Sequence, residues 1–172
     1  MSGVEDKSRN VYVAGLRNAH AMETQAIQLL SRQLDRLKSY PDMEAQMRRH
    51  LAESEGQRTR LEETLASLAE SPSVIKDEAM GLIGNLAALA HSPAPDEVLK
   101  NTMANFAFEH YEIAAYKSLI AVAEAVGHAG GLNAAQASLR EEEAMARWID
   151  EHIADTTLRF LGRKEAGLKA DR

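Results

Sequence analysis

The sequence predicts an all-α fold, an up-down four-helix bundle with an additional short helix in the crossover connection. Of the 172 residues, 45% are hydrophobic and 27% charged, which is typical of a globular protein. Only 10 glycines and 4 prolines occur, and they cluster between longer segments, which favours helices. Along four of these segments apolar residues recur at steps of three and four. No linker divides the chain, so we expect a single domain over residues 1–172.

Composition also excludes several classes of function. The chain has no cysteine, so a metal ion would have to be bound by oxygen and nitrogen ligands. The net charge of −6 argues against sequence-independent nucleic-acid binding, which needs a basic surface. No apolar run approaches the roughly 20 residues of a membrane helix, and the N-terminal residues lack the apolar core of a secretory signal. We therefore expect a cytoplasmic protein without nucleic-acid or membrane partners.

The first helix is predicted over residues 8–38. Its apolar seam has steps of three and four and consists of Leu16, His20, Glu23, Ile27, Leu30, Leu34 and Leu37. His20 and Glu23 take places where leucine is expected. Pro41 marks the boundary with the next helix, because proline is favoured near a helix start and disfavoured inside one.

The second helix is predicted over residues 42–69, with apolar residues at both ends and a polar middle. If the helix is buried along its whole length, this middle must contribute polar groups to the interior. Continuing the seam gives His50, Glu53 and Gln57 as the inward candidates. The alternative is that this part of the helix faces solvent. A shorter helix over residues 74–90 follows, which we interpret as the crossover that carries the chain along the bundle.

The third long helix is predicted over residues 95–126 and the last over residues 133–161. The third carries Glu109 and Glu112, which lie three apart and therefore on one helix face, with His110 pointing away from it. Asn133 is the predicted N-cap of the last helix, whose seam includes Glu142. The tail after residue 162 is charged and expected to fray.

Each of the four long helices thus carries a glutamate on its apolar seam: Glu23, Glu53, Glu112 and Glu142. A single seam glutamate is commonly a boundary residue whose head reaches water, but four at similar depth are harder to explain in that way. Clustered carboxylates need protons or cations, because like charges at close range raise each other's pKa. Two helical hairpins would bring the four together, as in di-iron carboxylate proteins. Glu109 is a further candidate ligand, while His50, Gln57 and His20 are either additional ligands or hydrogen-bonded interior groups.

Three stretches, FEHYEIAAY, HLAESEGQRTRLEE and LREEEA, resemble the YciF-like stress proteins. These form a ferritin-like family related in fold to rubrerythrins, and the resemblance extends over residues 11–160. It implies a four-helix bundle with a short crossover helix, a di-metal site usually taken as di-iron, and a homodimer. The residues that match the acidic pattern of the family are Glu23, Glu53, Glu109, Glu112 and Glu142.

The sequence departs from the pattern at three positions. Ala146 stands where family members often carry an aspartate, and Gly56 and Met145 stand where Glu-x-x-His pairs would place histidine. The site could therefore be poor in ligands, bind metal weakly or hold a single ion.

Two hypotheses follow. The first is a stress-response protein with one or two iron ions, or manganese, reactive toward a small oxidant such as oxygen or peroxide. The second is a non-enzymatic structural or interaction protein whose acidic centre is metal-free.

Overall fold

In the computed structural model, the described part of the chain forms four long helices: α1 (Ser2–Leu34), α2 (Pro41–Ser67), α3 (Glu97–Ala125) and α4 (Ala129–Glu165). The structure describes residues 2–72 and 95–170, with side chains from residue 7 onward. Helices α1 and α4 each pack against both α2 and α3, so α1 lies diagonally opposite α4. The predicted all-α four-helix bundle is confirmed. The predicted crossover helix over 74–90 lies outside the described residues.

The contacts at the two ends of the bundle give the direction of each helix. At one end, Arg9 near the start of α1 donates to the carbonyl of Leu68 after α2, and Tyr12 meets His128 between α3 and α4. At the other end, Arg36 after α1 pairs with Glu97 at the start of α3. Helix α2 therefore ends where α3 also ends, and α2 and α3 run parallel. The connection between them has to span the length of the bundle.

Helix α1 begins at Ser2, six residues before the predicted start at residue 8, and the other helix limits differ from the predicted ones by four residues or fewer. Helix α1 ends at Leu34 and not at residue 38, because residues 35–40 form a turn in which the amide of Tyr40 donates to the carbonyl of Leu37. Leu37 and Tyr40 are nonetheless buried, which is why the apolar pattern continues past the end of the helix.

The start of α4 corrects the predicted N-cap. His128, not Asn133, caps the helix, and its Nδ1 accepts from the backbone amide of Gly131 at 3.0 Å. Asn133 is exposed within the helix. Gly130 and Gly131, which precede the predicted start at residue 133, are already helical.

The C-terminal tail is also ordered further than predicted. Helix α4 continues to Glu165, and the Tyr40 hydroxyl donates to the carbonyl of Ala170 at 2.8 Å. Arg163 donates to the carbonyl of Lys169 and to the Ser39 hydroxyl. The tail up to residue 170 thus folds back onto the turn between α1 and α2.

Two apolar clusters occupy the two halves of the bundle. One contains Tyr12, Leu16, Leu65, Tyr116 and Ala123, and the other contains Leu34, Tyr40, Met47, Val98 and Ile149. The polar residues at the middle of each helix lie between the two. The fold therefore encloses a polar layer between two apolar clusters.

Candidate metal centre

The polar layer brings four side chains together at the centre of the bundle: His50, Glu109, Glu112 and Glu142. One ligand atom from each lies within 4.8 Å of the others, and all four residues are buried. His50 Nε2 is 3.3 Å from Glu109 Oε2 and 3.6 Å from Glu142 Oε2. Helices α2, α3 and α4 therefore contribute one, two and one of these groups.

Many polar atoms of this layer have no hydrogen-bond partner within the described residues. They include both carboxylate oxygens of Glu112 and of Glu142, Oε2 of Glu109 and Nε2 of His50. A buried polar group without a partner costs about 1–3 kcal/mol, and a charged one costs more. Such a concentration of unpaired atoms is typical of a site that binds a ligand.

Burial and mutual repulsion favour protons on two of the carboxylates in the absence of a cation. Burial raises the pKa of Glu112 well above its usual range, and the neighbouring Glu142 raises it further. The pKa of Glu142 is likewise raised, first by burial and then by the charge of Glu109, although His50 partly opposes the shift. Ionising both glutamates at neutral pH needs a compensating positive charge.

Helix α1 contributes Glu23, which is fully buried and adjoins the four-residue group. The Tyr116 hydroxyl donates to its Oε1 at 2.6 Å, while Oε2 has no partner in the described structure. Burial raises the pKa of Glu23 to about 8, although the hydrogen bond from Tyr116 and the charge of His50 lower it. Tyr116 thus fixes one carboxylate oxygen and leaves the other available.

His50 lies between the exposed carboxylate of Glu53 and the buried carboxylates of Glu109 and Glu142. Burial alone would lower its pKa, but the nearby carboxylates, first Glu109 and then Glu53 and Glu142, outweigh this and raise the pKa well above its usual value. Its Nδ1 lies 3.2 Å from Glu53 Oε2, on the side of the ring away from the cluster.

The remaining predicted site residues lie at the edge of the layer or beside it. The Glu53 side chain is 41% exposed and contacts His50, without joining the four-residue group. His20 is half-buried, and its Nε2 meets the exposed Glu62 at 3.0 Å. Gln57 is fully buried, donates to Glu141 at 3.0 Å, and leaves its carbonyl oxygen without a partner in the described structure.

Glu53 and His20 lie off the buried faces of their helices, because at each of these points the buried face and the predicted seam differ by one residue in the length of the step. The helical repeat of 3.6 lies between steps of three and four residues, so both steps are compatible with one face. On α2 the buried face continues from His50 to Ser54, which turns Glu53 toward solvent. On α1 it runs from Leu16 to Ala19 and Glu23, which leaves His20 at the edge.

Further polar groups lie between α2 and α4, beyond the residues that the seams predict. Ser54 is fully buried and its hydroxyl has no partner in the described structure, and it shares the face of His50 and Gln57. Nearby, Arg60 pairs with Glu141 and donates to Ser138 at 3.2 Å. The spacing of four and then three from His50 is the signal that could have identified Ser54.

Comparison with known proteins places this chain in a family. Residues 7–162 match the family described as "Domain of unknown function (DUF892)". The crystal structure of the E. coli stress protein YciF is similar, with a TM-score of 0.73 and 25% identity over 86% of this chain and 95% of that chain. The chain belongs to the YciF-like (DUF892) family.

Two further solved structures resemble the YciF-like chain. A protein from Xanthomonas campestris pv. campestris str. ATCC 33913 has a TM-score of 0.78 and 26% identity, over 92% of this chain and 99% of that chain. YcfI from Rhodopseudomonas palustris has a TM-score of 0.72 and 28% identity, over 83% of this chain and 92% of that chain. The whole bundle is thus shared.

The positions where this YciF-like chain departs from the expected ligand pattern are apolar in the structure. Met145 and Ala146 are buried, and Met145 Sδ accepts from Gln46 at 3.4 Å. Helix α4 therefore offers Glu142 alone, while α3 offers both Glu109 and Glu112. The donor set, one imidazole nitrogen and several carboxylate oxygens, is the kind that iron and manganese accept.

Proposed function

We propose that this YciF-like protein binds one or two iron ions, or manganese, at the polar layer and serves in a stress response as a centre that reduces peroxide or oxygen. The observation that carries the proposal is that all four carboxylate oxygens of Glu112 and Glu142 are buried without hydrogen-bond partners in the described structure. The known stress protein in the family supports the biological role.

Charge balance supports a pair of divalent ions. Four buried glutamates, Glu23, Glu109, Glu112 and Glu142, would carry four negative charges if all were ionised. Two divalent cations offset them fully, whereas burying carboxylates without a cation or a proton is prohibitive. Around any one ion, bonds of about 2.0–2.2 Å place the ligand atoms within about 4.4 Å of one another. The four clustered side chains have ligand atoms within 4.8 Å of one another, so small side-chain movements would bring them to bonding distance.

The available atoms suggest which residues would hold the ions. His50 Nε2 and Glu109 Oε2 lie toward α2 and α3, while Glu23 Oε2 approaches from α1. Glu112 and Glu142 each offer two unpaired oxygens and would hold the ions from α3 and α4. Bound iron would supply the electrons for reducing a small oxidant. The chain itself orients the ligands and, through two apolar clusters, limits the access of water.

A second candidate function is favoured by the raised pKa of His50. An imidazolium at this position would lie 3.3 Å from Glu109 and compensate its charge, with protons on Glu112 and Glu142. The protein would then be a metal-free structural or interaction protein. In that case Glu112→Gln would keep or raise the free energy of unfolding whether or not metal is present.

Metal analysis tests the proposal directly. Protein purified from iron-supplemented cells without chelator should contain one to two ions per chain, and Glu112→Ala should lose most of them. Glu124→Ala, an exposed glutamate on the same helix, is the matched control and should keep the wild-type content. Wild-type protein that holds neither iron nor manganese would contradict the proposal and favour the second candidate.

Peroxide consumption by the iron-loaded protein, compared with Glu112→Ala, tests the reactivity separately. The homodimer, the absence of nucleic-acid and membrane partners, and the cytoplasmic location stay predictions. Among the described residues no helix is long and apolar enough to cross a membrane.

A further inference from the structure

We propose that Glu53 is a positioning residue and not a metal ligand: it holds His50 so that Nε2 faces the ion. The inference rests on the proposed function, because it assigns a role within the same metal centre. It also replaces the role that the acidic pattern of the sequence gave to Glu53.

The two nitrogen atoms of His50 have different surroundings. Nδ1 lies 3.2 Å from Glu53 Oε2, three residues along the same helix. Nε2 points into the cluster, 3.3 Å from Glu109 Oε2 and 3.6 Å from Glu142 Oε2. The imidazole ring thus bridges a carboxylate at the edge of the bundle and carboxylates at its centre.

The chemistry of the contact with Glu53 selects the tautomer. An ionised carboxylate can only accept a hydrogen bond, so Nδ1 must carry the hydrogen and donate it to Glu53. In neutral imidazole the lone pair is then on Nε2. When Glu109 and Glu142 are both ionised, this lone pair faces two negative charges, which is unfavourable unless a cation lies between them. Metal-binding histidines commonly donate their second ring N–H to a carboxylate, which fixes both tautomer and orientation.

Exposure separates Glu53 from the four clustered residues. Its side chain is 41% exposed, whereas His50 and Glu142 are fully buried and Glu109 nearly so. Glu53 contributes no atom to the group that lies within 4.8 Å. Its Oε2 is engaged with Nδ1, on the far side of the ring from the ion site. The carboxylate therefore acts on the metal through His50.

Mn²⁺ binding by the full-length chain tests this assignment. Glu53→Ala should weaken the affinity for Mn²⁺ by about 10- to 100-fold while the number of ions per chain stays unchanged. Glu53→Gln should recover most of the affinity, because its amide oxygen still accepts from Nδ1. The control is Glu55→Ala, an exposed glutamate two residues away on the same helix, which should bind as the wild type does.

Two further readouts exclude a merely structural effect. In chelator, Glu53→Ala and Glu55→Ala should unfold at similar temperatures. Pulsed electron paramagnetic resonance of bound Mn²⁺ should show imidazole nitrogen coordination in the wild type and in Glu53→Gln.

The outcomes separate the two proposals. Fewer ions per chain in Glu53→Ala would make Glu53 a direct ligand and overturn the inference. An affinity equal to that of Glu55→Ala would also overturn it, while metal binding by the wild type would leave the proposed function intact. A wild-type chain that binds no Mn²⁺, and no iron either, would overturn both.

Discussion

At the scale of single residues, the metal centre depends on which atom of each side chain is already engaged. Tyr116 occupies Oε1 of Glu23 and Glu53 faces Nδ1 of His50, so the remaining oxygen and nitrogen are the atoms that face the polar layer. By contrast, neither carboxylate oxygen of Glu112 or Glu142 has a partner in the described structure. The flanking hydrogen bonds thus orient the outer groups, while the central carboxylates remain available.

Replacing Tyr116 by phenylalanine should weaken both stability and metal binding. The variant leaves Glu23 Oε1 without its donor in a fully buried position, so we expect a loss of about 1–3 kcal/mol in the free energy of unfolding. The same hydrogen bond lowers the pKa of Glu23, so its removal should favour the protonated carboxyl and reduce metal affinity. Urea denaturation with chelator and metal titration would measure the two effects.

Tyr111→Phe is the matched control for this variant. Tyr111 lies on the same helix, is half-buried, and contacts the ring of Phe108. Its hydroxyl makes no hydrogen bond to the described residues, so the control should change stability by less than about 0.5 kcal/mol. Equal behaviour of the two variants would mean that the hydrogen bond to Glu23 contributes nothing to the site.

The residues of the site were predictable to different degrees for a physical reason. Glu109, Glu112 and Glu142 are buried where the seams of their helices predict them, because several apolar residues on both sides fix the helix phase. Glu53 lies in a stretch of α2 without large apolar residues. The sequence there does not distinguish a step of three from a step of four after His50, and the structure takes the step of four.

At the scale of helices, the start of α4 contains a close contact of Gly131 with Tyr12 and His128, which the amino-acid composition does not reveal. A Cβ at Gly131 would lie 1.9 Å from the Tyr12 hydroxyl and 2.5 Å from His128 Nδ1. Tyr12 is fully buried and His128 Nδ1 caps the helix, so neither group can move without losing packing or the cap. The glycine is needed for the close approach of Tyr12 and His128 to the helix.

Gly131→Ala should therefore destabilise the protein by about 1–3 kcal/mol, the usual cost of inserting a methyl group into a well-packed contact. Gly162→Ala on the same helix is the control, because a Cβ there would meet nothing within 4 Å. The control should stabilise the helix by up to about 1 kcal/mol, since alanine has the higher helix propensity. Thermal unfolding of both variants checks the difference, and a neutral Gly131→Ala would show that Tyr12 or the cap can rearrange without cost.

At the scale of the whole molecule, two apolar clusters with a polar layer between them could be predicted. The apolar seams of the predicted helices include residues of both clusters. The position of the C-terminal tail could not be predicted, because it depends on a few individual side-chain contacts. Tyr40 reaches the carbonyl of Ala170, and Arg163 reaches Ser39, over separations of more than 120 residues. A charged C-terminal segment gives no local signal for such contacts.

The polar layer should also give the protein an unusual dependence of stability on pH. The pKa of Glu23 is raised from about 4.5 in the unfolded chain to about 8 in the fold, chiefly by burial, and the pKa values of Glu112 and Glu142 are also raised. The folded state therefore binds more protons than the unfolded state between these values. In metal-free protein this contribution to stability is complete below about pH 4.5 and is lost as the pH rises through about 8.

Metal binding should reverse this dependence, because ions compete with protons for the same carboxylates. In chelator, we expect the urea midpoint to fall between about pH 5 and pH 8, the raised pKa of His50 acting in the same direction. The ion pair between Asp42 and Arg159 does not affect this range. Arg159 lowers the pKa of Asp42, so the stability that this pair contributes is lost only in more acidic solution. Saturating Mn²⁺ should raise the midpoint little near pH 5 and most near pH 8, since a ligand bound by the folded state alone adds its binding free energy to stability. Metal stabilisation that is larger near pH 5 would show that the ions bind outside the buried carboxylates.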